Sequence, residues 1–250
     1  MVLSIFTSCT DKDDYIIGGQ KNETNFFDES SFDVLSKMEA TDIVAMLFEK
    51  AGLKDSVNKE NMTIIAPNKW SVSRYLRRKH NQALRTNPDA APLTIEDIPI
   101  DTLQQMGMYI IPGKWWSENI PVEGVELTTI FGNKLILSKE KKNTDPASAW
   151  DGGGNPGYGY QYSNFLQENP YIIHVHFKRG RRWEMTYSRR SALTDYYDNP
   201  ECDHLYRMYV SDVMTRNGVI HVIYQGDYDF KDHYYYHTLF FFGTRKDDKL

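Results

Sequence analysis

A mixed α+β chain is predicted by three features: amphipathic helical stretches, a short apolar run closed by proline, and segments that alternate around glycine turns. The clearest helix is TDIVAMLFEKAGL. Thr41 suits its N-cap, Asp42 its first turn, and Gly52 its stop, while Val44, Leu47, Phe48 and Ala51 share one stripe. Before it, SSFDVLSKM reads as a shorter helix with Ser30 or Ser31 as cap. MTIIAP, residues 62–67, reads as a buried strand.

NKWSVSRYLRRKH follows as a helix capped by Asn68, with Trp70, Val72, Tyr75 and Leu76 in reach of the core. Residues 81–92 are polar and proline-bearing, and are expected to form a loop. IDTLQQMGMY reads as a helix running into IIPGKWW, where Pro112-Gly113 turns the chain. VELTTIFGNKLILS is a hairpin about Gly132-Asn133. In YIIHVHFKRGRRWEMTY a three-residue turn at 178–180 sets Val175 against Trp183, Ile173 against Met185 and Tyr171 against Tyr187. His174, His176, Arg182 and Glu184 then share the other, solvated face. RMYVSDVMTRNGVIHVI and HYYYHTLFFFGTRK read as strands, and residues 246–250 as a fraying tail.

A chain of 250 residues with 40% hydrophobic and 25% charged residues can bury a substantial core. Its net charge of −5 speaks against a general nucleic-acid binder, which needs a basic field to neutralise phosphates. No stretch approaches the roughly 20 apolar residues of a membrane-spanning helix. Cys9 and Cys202 are the only cysteines, which excludes a disulfide framework and a cysteine-type zinc site.

Cys9 follows an apolar stub, Val2 to Phe6, and the small pair Thr7-Ser8. That order resembles the end of a bacterial lipoprotein signal, in which the cysteine becomes lipid-modified. Thr10-Asp11-Lys12-Asp13-Asp14 looks like the acidic surface-export tag of some Gram-negative lipoproteins. The apolar stub is short and lacks a cationic start, and Phe6 stands where leucine is usual, so the true start is expected upstream. The layout expected is a signal remnant at 1–9, a polar tether at 10–30 and one domain at 31–245.

Three segments then fall into a known order. TIIAPNKWSV, with Pro67 and Asn68, resembles the first signature of the fasciclin domain family. MGMYIIPG, with Tyr109, Pro112 and Gly113, looks like its central segment. VSDVMTRNGVIHVI, with Asp212, Asn217, Gly218 and His221, is similar to its closing signature. The family's central histidine falls at Tyr109 here, and Lys69 replaces a polar Asn or Asp. The resemblance implies a compact α+β wedge of short β-sheets with packed helices, and Gly218 permits a positive φ at the hairpin-like entry to the last core strand. The excursion at about 139–203, holding the extra hairpin and the glycine-rich DGGGNPGYGY, is expected as an insertion outside the wedge. In some animal members an Asp-Ile pair before the closing signature is assigned to integrin contact; Asp212 and Val213 match it.

The chemistry expected is recognition without catalysis and without a cofactor. His174 and His176 could offer two imidazoles with Glu184 to zinc, but Arg182 beside them would repel a cation, and no metal is expected. His233 and His237 are read the same way. DGGGN lacks the lysine of a phosphate loop and the acidic spacing of a calcium loop. Trp150, Tyr158, Tyr160 and Tyr162, on or beside the glycine loop, are the candidate ligand-binding residues, since exposed rings stack on sugar faces; the other reading of them is that they fold back to cover the extra hairpin. Arg179, Arg181 and Arg182 make a basic, solvated hairpin tip. The expected role is a cell-surface binding or adhesion lipoprotein of a Gram-negative outer membrane, with a protein or glycan partner. An accessory glycan-capture lipoprotein of a nutrient importer is the alternative.

Overall fold

The computed structural model describes residues 26–141, 171–177 and 204–223. Within them, strands follow the order β3 (Ile110–Pro112), β2 (Met62–Ala66), β8 (Gly218–Ile223), β7 (His204–Thr215), β6 (Tyr171–Phe177), β5 (Lys134–Lys141) and β4 (Val125–Thr128), with β1 (Phe26–Phe27) beside the end of β7. The strand β7 (His204–Thr215) joins two small sheets. Its first part pairs with β6 (Tyr171–Phe177), and its second part pairs with β8 (Gly218–Ile223). The switch falls between Arg207, the last residue paired with β6, and Met208, the first paired with β8, and two register shifts then bend β7 on either side of Val210.

The helices form where the sequence places them, with instructive departures. Ser30 caps α1 (Ser31–Lys37) by accepting from the Asp33 amide. Thr41 precedes α2 (Asp42–Lys50) but does not cap it: its buried hydroxyl donates to the Leu35 carbonyl at 2.8 Å, closing the turn from α1. Gly52 ends the stripe at φ +72, followed by one helical turn, α3 (Lys54–Val57). Asn68 caps α4 (Lys69–Thr86) through the Ser71 amide at 3.1 Å. This helix overruns the loop expected from residue 81. Asn81, Gln82, Ala83, Leu84 and Arg85 contain no glycine or proline, and a helix already nucleated and packed propagates through them. The short α5 (Ile100–Gln104) passes into a 3₁₀ turn, Gln105–Tyr109, before β3 (Ile110–Pro112).

Residues of β2 (Met62–Ala66) and β8 are all buried and pair in parallel, Ile64 beside Ile220. A continuous apolar run is what a strand covered on both faces requires. The β4–β5 hairpin (Val125–Thr128 and Lys134–Lys141) turns at Gly132, φ +90, as expected. Ile64, Ile111 and Val222, one from each sequence signature, belong to a single core.

The middle excursion is not wholly outside that core. Ile173, Val175 and Phe177 of β6 are buried in it, and Val175 pairs with Leu137 on one side and Tyr206 on the other. A strand has two hydrogen-bonding edges. With both taken, the expected pairing of Val175 with Trp183 is excluded. The face bearing His174 and His176 is also buried rather than solvated, so β6 is an interior strand. Tyr109 locks the two sheets together, meeting the Phe177 ring edge-on at 5.6 Å and 82°.

Candidate functional site

The three sequence signatures meet at one buried polar junction. It begins with Pro112-Gly113, after which the chain leaves β3 as a loop over the end of β2 and β8. Gly113 sits at φ +103, and a Cβ there would lie 2.6 Å from Trp115 Nε1. Glycine therefore allows both the turn and the indole to lie flat against it, with Nε1 donating to the Pro112 carbonyl at 3.1 Å. Thr63, a lone polar residue in the apolar β2, fastens the loop twice. Its hydroxyl donates to the Gly113 carbonyl at 2.7 Å and accepts from the Trp115 amide at 2.9 Å.

His221 of β8 forms the centre of the junction and is completely buried. Its Nε2 lies 2.7 Å from the Trp115 carbonyl, and its Nδ1 lies 3.2 Å from the Asp212 amide. A carbonyl only accepts and an amide N–H only donates, so a neutral ring with its proton on Nε2 satisfies both contacts. Burial holds the His221 pKa below the usual histidine value, against the opposing pull of the Asp212 charge and the Trp115 carbonyl. Asp212 occupies the bulge of β7 at φ +59, an uncommon conformation for which aspartate is one of the better-suited residues. Its carboxylate accepts from the Ser117 amide at 2.8 Å, and Lys139 donates to the Ser117 carbonyl at 2.6 Å. The strand positions β2, β7 and β8 thus all hold the 113–117 loop.

A second polar knot lies at the turn into β8. Asn217 accepts from the Ser31 amide at 2.8 Å and donates to the carbonyls of Val57 and Lys59, tying α1 and the α3 region to the strand. Ser31 and Thr215 share a 2.7 Å hydroxyl contact. Gly218 does not adopt the positive φ open to it; the positive-φ glycines described are Gly52, Gly113, Gly124 and Gly132. The reason for glycine is proximity: a Cβ at 218 would stand 2.3 Å from the Met62 carbonyl oxygen.

The other predicted residues divide clearly. Pro67 and Asn68 lie buried at the start of α4, where Asn68 also donates to the Ile223 carbonyl at 3.3 Å. Tyr109 is core, and so is Val213, at 1% exposure. With Val213 inward and the Asp212 carboxylate on Ser117, the pair is not presented jointly on the surface. Cys9, Trp150, Tyr158, Tyr160, Tyr162, Arg179, Arg181, Arg182, Glu184, Cys202, His233 and His237 lie outside the described residues. His174 and His176 are buried, and burial depresses the His176 pKa to about 4. Among the described residues there is no cluster of three or more metal-ligating side chains and no helix long and apolar enough to cross a membrane.

Thr63, Trp115 and Ser117 went unrecognised in the sequence. The signal for Thr63 was a threonine inside an otherwise apolar strand. Trp115 and Ser117 act mainly through backbone groups, which side-chain identity does not reveal. Separately, a half-open groove of about 430 Å³ runs between α4 and the 94–105 segment, lined by Tyr75, Lys79, Asp97, Thr102 and Gln105 among others.

No protein-family profile matches the chain, and no curated protein does. Among solved structures it is similar to a FAS1 domain pair from the insect cell adhesion molecule fasciclin I, at 14% identity and a TM-score of 0.40. The match covers 74% of this chain and 44% of that one, so the chain spans less than half of the domain pair.

Proposed function

We propose that this chain is a fasciclin-like, non-catalytic binding domain of a bacterial surface lipoprotein, tethered through Cys9 and contacting a protein or glycan partner. One observation carries the reading: Thr63, the Pro112-Gly113 loop, Asp212 and His221, drawn from the three signature segments, close on one another in a single hydrogen-bonded junction. Residues that are far apart in the chain and jointly satisfied in the core are what a shared fold would preserve. The bonding pattern also favours a scaffold over an enzyme. A catalytic histidine needs a proton-transfer partner in reach of a substrate. Both ring nitrogens of His221 are instead committed to backbone groups.

The lipid anchor rests on the sequence around Cys9, and adhesion rests on the family resemblance. Both are tested together by expressing wild-type and Cys9→Ala protein in a Gram-negative host. Wild type is expected in the outer-membrane fraction, with cells attaching to surfaces coated with matrix protein or polysaccharide. The variant is expected in the soluble fraction without attachment. Membrane retention of the variant would refute the anchor, and failure of wild-type cells to attach would refute the adhesive role.

A further inference from the structure

One bond in the junction around His221 depends on the absence of a single proton. The ring Nδ1 accepts from the Asp212 amide at 3.2 Å, while Nε2 donates to the Trp115 carbonyl at 2.7 Å. Nδ1 accepts only while the ring is neutral; in the imidazolium both nitrogens are donors. A proton on Nδ1 would set two N–H groups against each other in a fully buried site, where an unmade hydrogen bond is costly.

The surroundings of the ring decide where the new donor turns. Neither β2 nor the rest of β8 carries an ionisable side chain. From β7, the Asp212 charge acts on the ring and favours its protonated form; His204, Tyr206, Arg207 and Tyr209 lie earlier on that strand. The loop brings Lys114 and the exposed Glu118, which accepts from the Trp116 indole, and Lys139 of β5 reaches the Ser117 carbonyl at 2.6 Å. The Asp212 carboxylate is engaged by the Ser117 amide at 2.8 Å. Two donors thus compete for one carboxylate: the Ser117 amide at all times, and Nδ1–H only when the ring is charged. A charged donor outcompetes a neutral one. Asp212 is also free to turn, since it lies in the irregular stretch between Val210 and Val213 and takes no place in the β7–β8 register.

We infer that His221 and Asp212 form an acid-operated latch, in which protonation of the ring draws the Asp212 carboxylate off Ser117 and frees the surface turn at 116–119. Trp115 stays in place, because its carbonyl keeps Nε2–H and its amide keeps the Thr63 hydroxyl at 2.9 Å. The movable unit is closed on itself by the Asn119 side chain, which accepts from the Trp116 amide at 2.8 Å. The sign follows from linkage. Burial holds the ring below the ordinary 6.5 in the closed form, and the open form gives the imidazolium a direct anionic partner. The latch is therefore closed above that pH and loosens as pH falls below it.

The test follows the purified full chain by NMR from about pH 8 to about pH 4, a range in which histidines change charge, and needs neither anchor nor partner. The His221 ring signals report protonation, and amide exchange, corrected for its intrinsic rate at each pH, reports the loop. Ser117 should lose protection by at least about tenfold along the titration curve of the ring, as fits the loss of one charge-assisted hydrogen bond. The Trp115 and Ile64 amides should stay protected. Asp212→Asn keeps an acceptor for Ser117 and a side chain tolerant of positive φ, but carries no charge. In that variant Ser117 should stay protected over the same range, and the ring should titrate at lower pH. His176→Gln removes a second buried histidine, in β6, and should leave the Ser117 transition unchanged. Constant Ser117 protection in the wild type, loss shared with Trp115 and Ile64, the same transition in Asp212→Asn, or its disappearance in His176→Gln would overturn the inference.

Discussion

In β2 and β8 every residue is buried, and Thr63 and His221 sit among the apolar side chains with backbone partners for their polar atoms. On the β4–β5 side burial alternates along β4, and the contacts include pairs of side chains: Lys134 with Glu126 at 2.6 Å, and Ser138 Oγ with His176 Nε2 at 3.4 Å. Both sides bury a histidine, with different partners. The ring of His221 links two backbone segments, whereas the contact from Ser138 to His176 is long and joins two side chains. The comparison teaches that a buried polar residue specifies a fold when it satisfies main-chain groups that no other residue could reach.

The sharpest way to break this contrast is His221→Leu. It leaves the Trp115 carbonyl and the Asp212 amide without their partner, at about 1–3 kcal/mol each. Denaturant unfolding should show a loss of about 4 kcal/mol, and hydrogen exchange should show the 113–117 loop opening. A loss below about 1 kcal/mol would mean that water replaces the imidazole and the junction does not specify the loop.

A somewhat smaller effect is expected from Gly218→Ala. The new methyl would meet the Met62 carbonyl at 2.3 Å, where the parallel β2–β8 pair offers no flexible side chain to yield. The expected destabilisation is about 3 kcal/mol by thermal or urea unfolding. A neutral outcome would show that β8 can shift along β2, and the parallel register would lose its claim to rigidity.

The gentlest test concerns pH and the other side of the sheet. Burial lowers the folded-state pKa of His176 from 6.5 to about 4, so the unfolded chain binds more protons between those values. This contribution to stability is complete above pH 6.5 and is lost progressively as pH falls toward 4. At about 1.36 kcal/mol per pKa unit, stability should drop by roughly 2 kcal/mol between pH 8 and pH 5 from this group. His221 shifts in the same direction and adds to the slope. In His176→Gln the drop over that range should shrink by that amount, measured against wild type in the same buffers. An unchanged slope would place the titration elsewhere and leave the two histidines indistinguishable.

Much of the first half of the fold was legible because its signals are local. Asn68 caps its helix by reaching three residues along, Gly52 stops α2, and Gly132 turns a hairpin; each decision involves side chains within a few positions of the backbone they serve. Legibility failed where a residue answers to a distant one. Thr41 looks like a cap, yet its hydroxyl goes to Leu35 because α1 packs across α2. Gly218 looks like a turn glycine, yet Met62 on another strand demands the missing methyl. Alternation in β6 was readable, but a period of two does not say which faces are covered or which strands take its edges.

The chain alone fixed the α+β class, the helix limits set by caps and glycines, and the identity of the apolar strands. These depend on steric and hydrogen-bonding preferences that act within a turn or two. Tertiary structure decided that β6 lies inside the sheet, that β7 passes from one sheet to the other after Arg207, and that the imidazole of His221 holds a loop more than a hundred residues away in sequence. Strand order and long-range main-chain bonding minimise the exposed area and unpaired groups of the whole molecule, and no short window contains that sum.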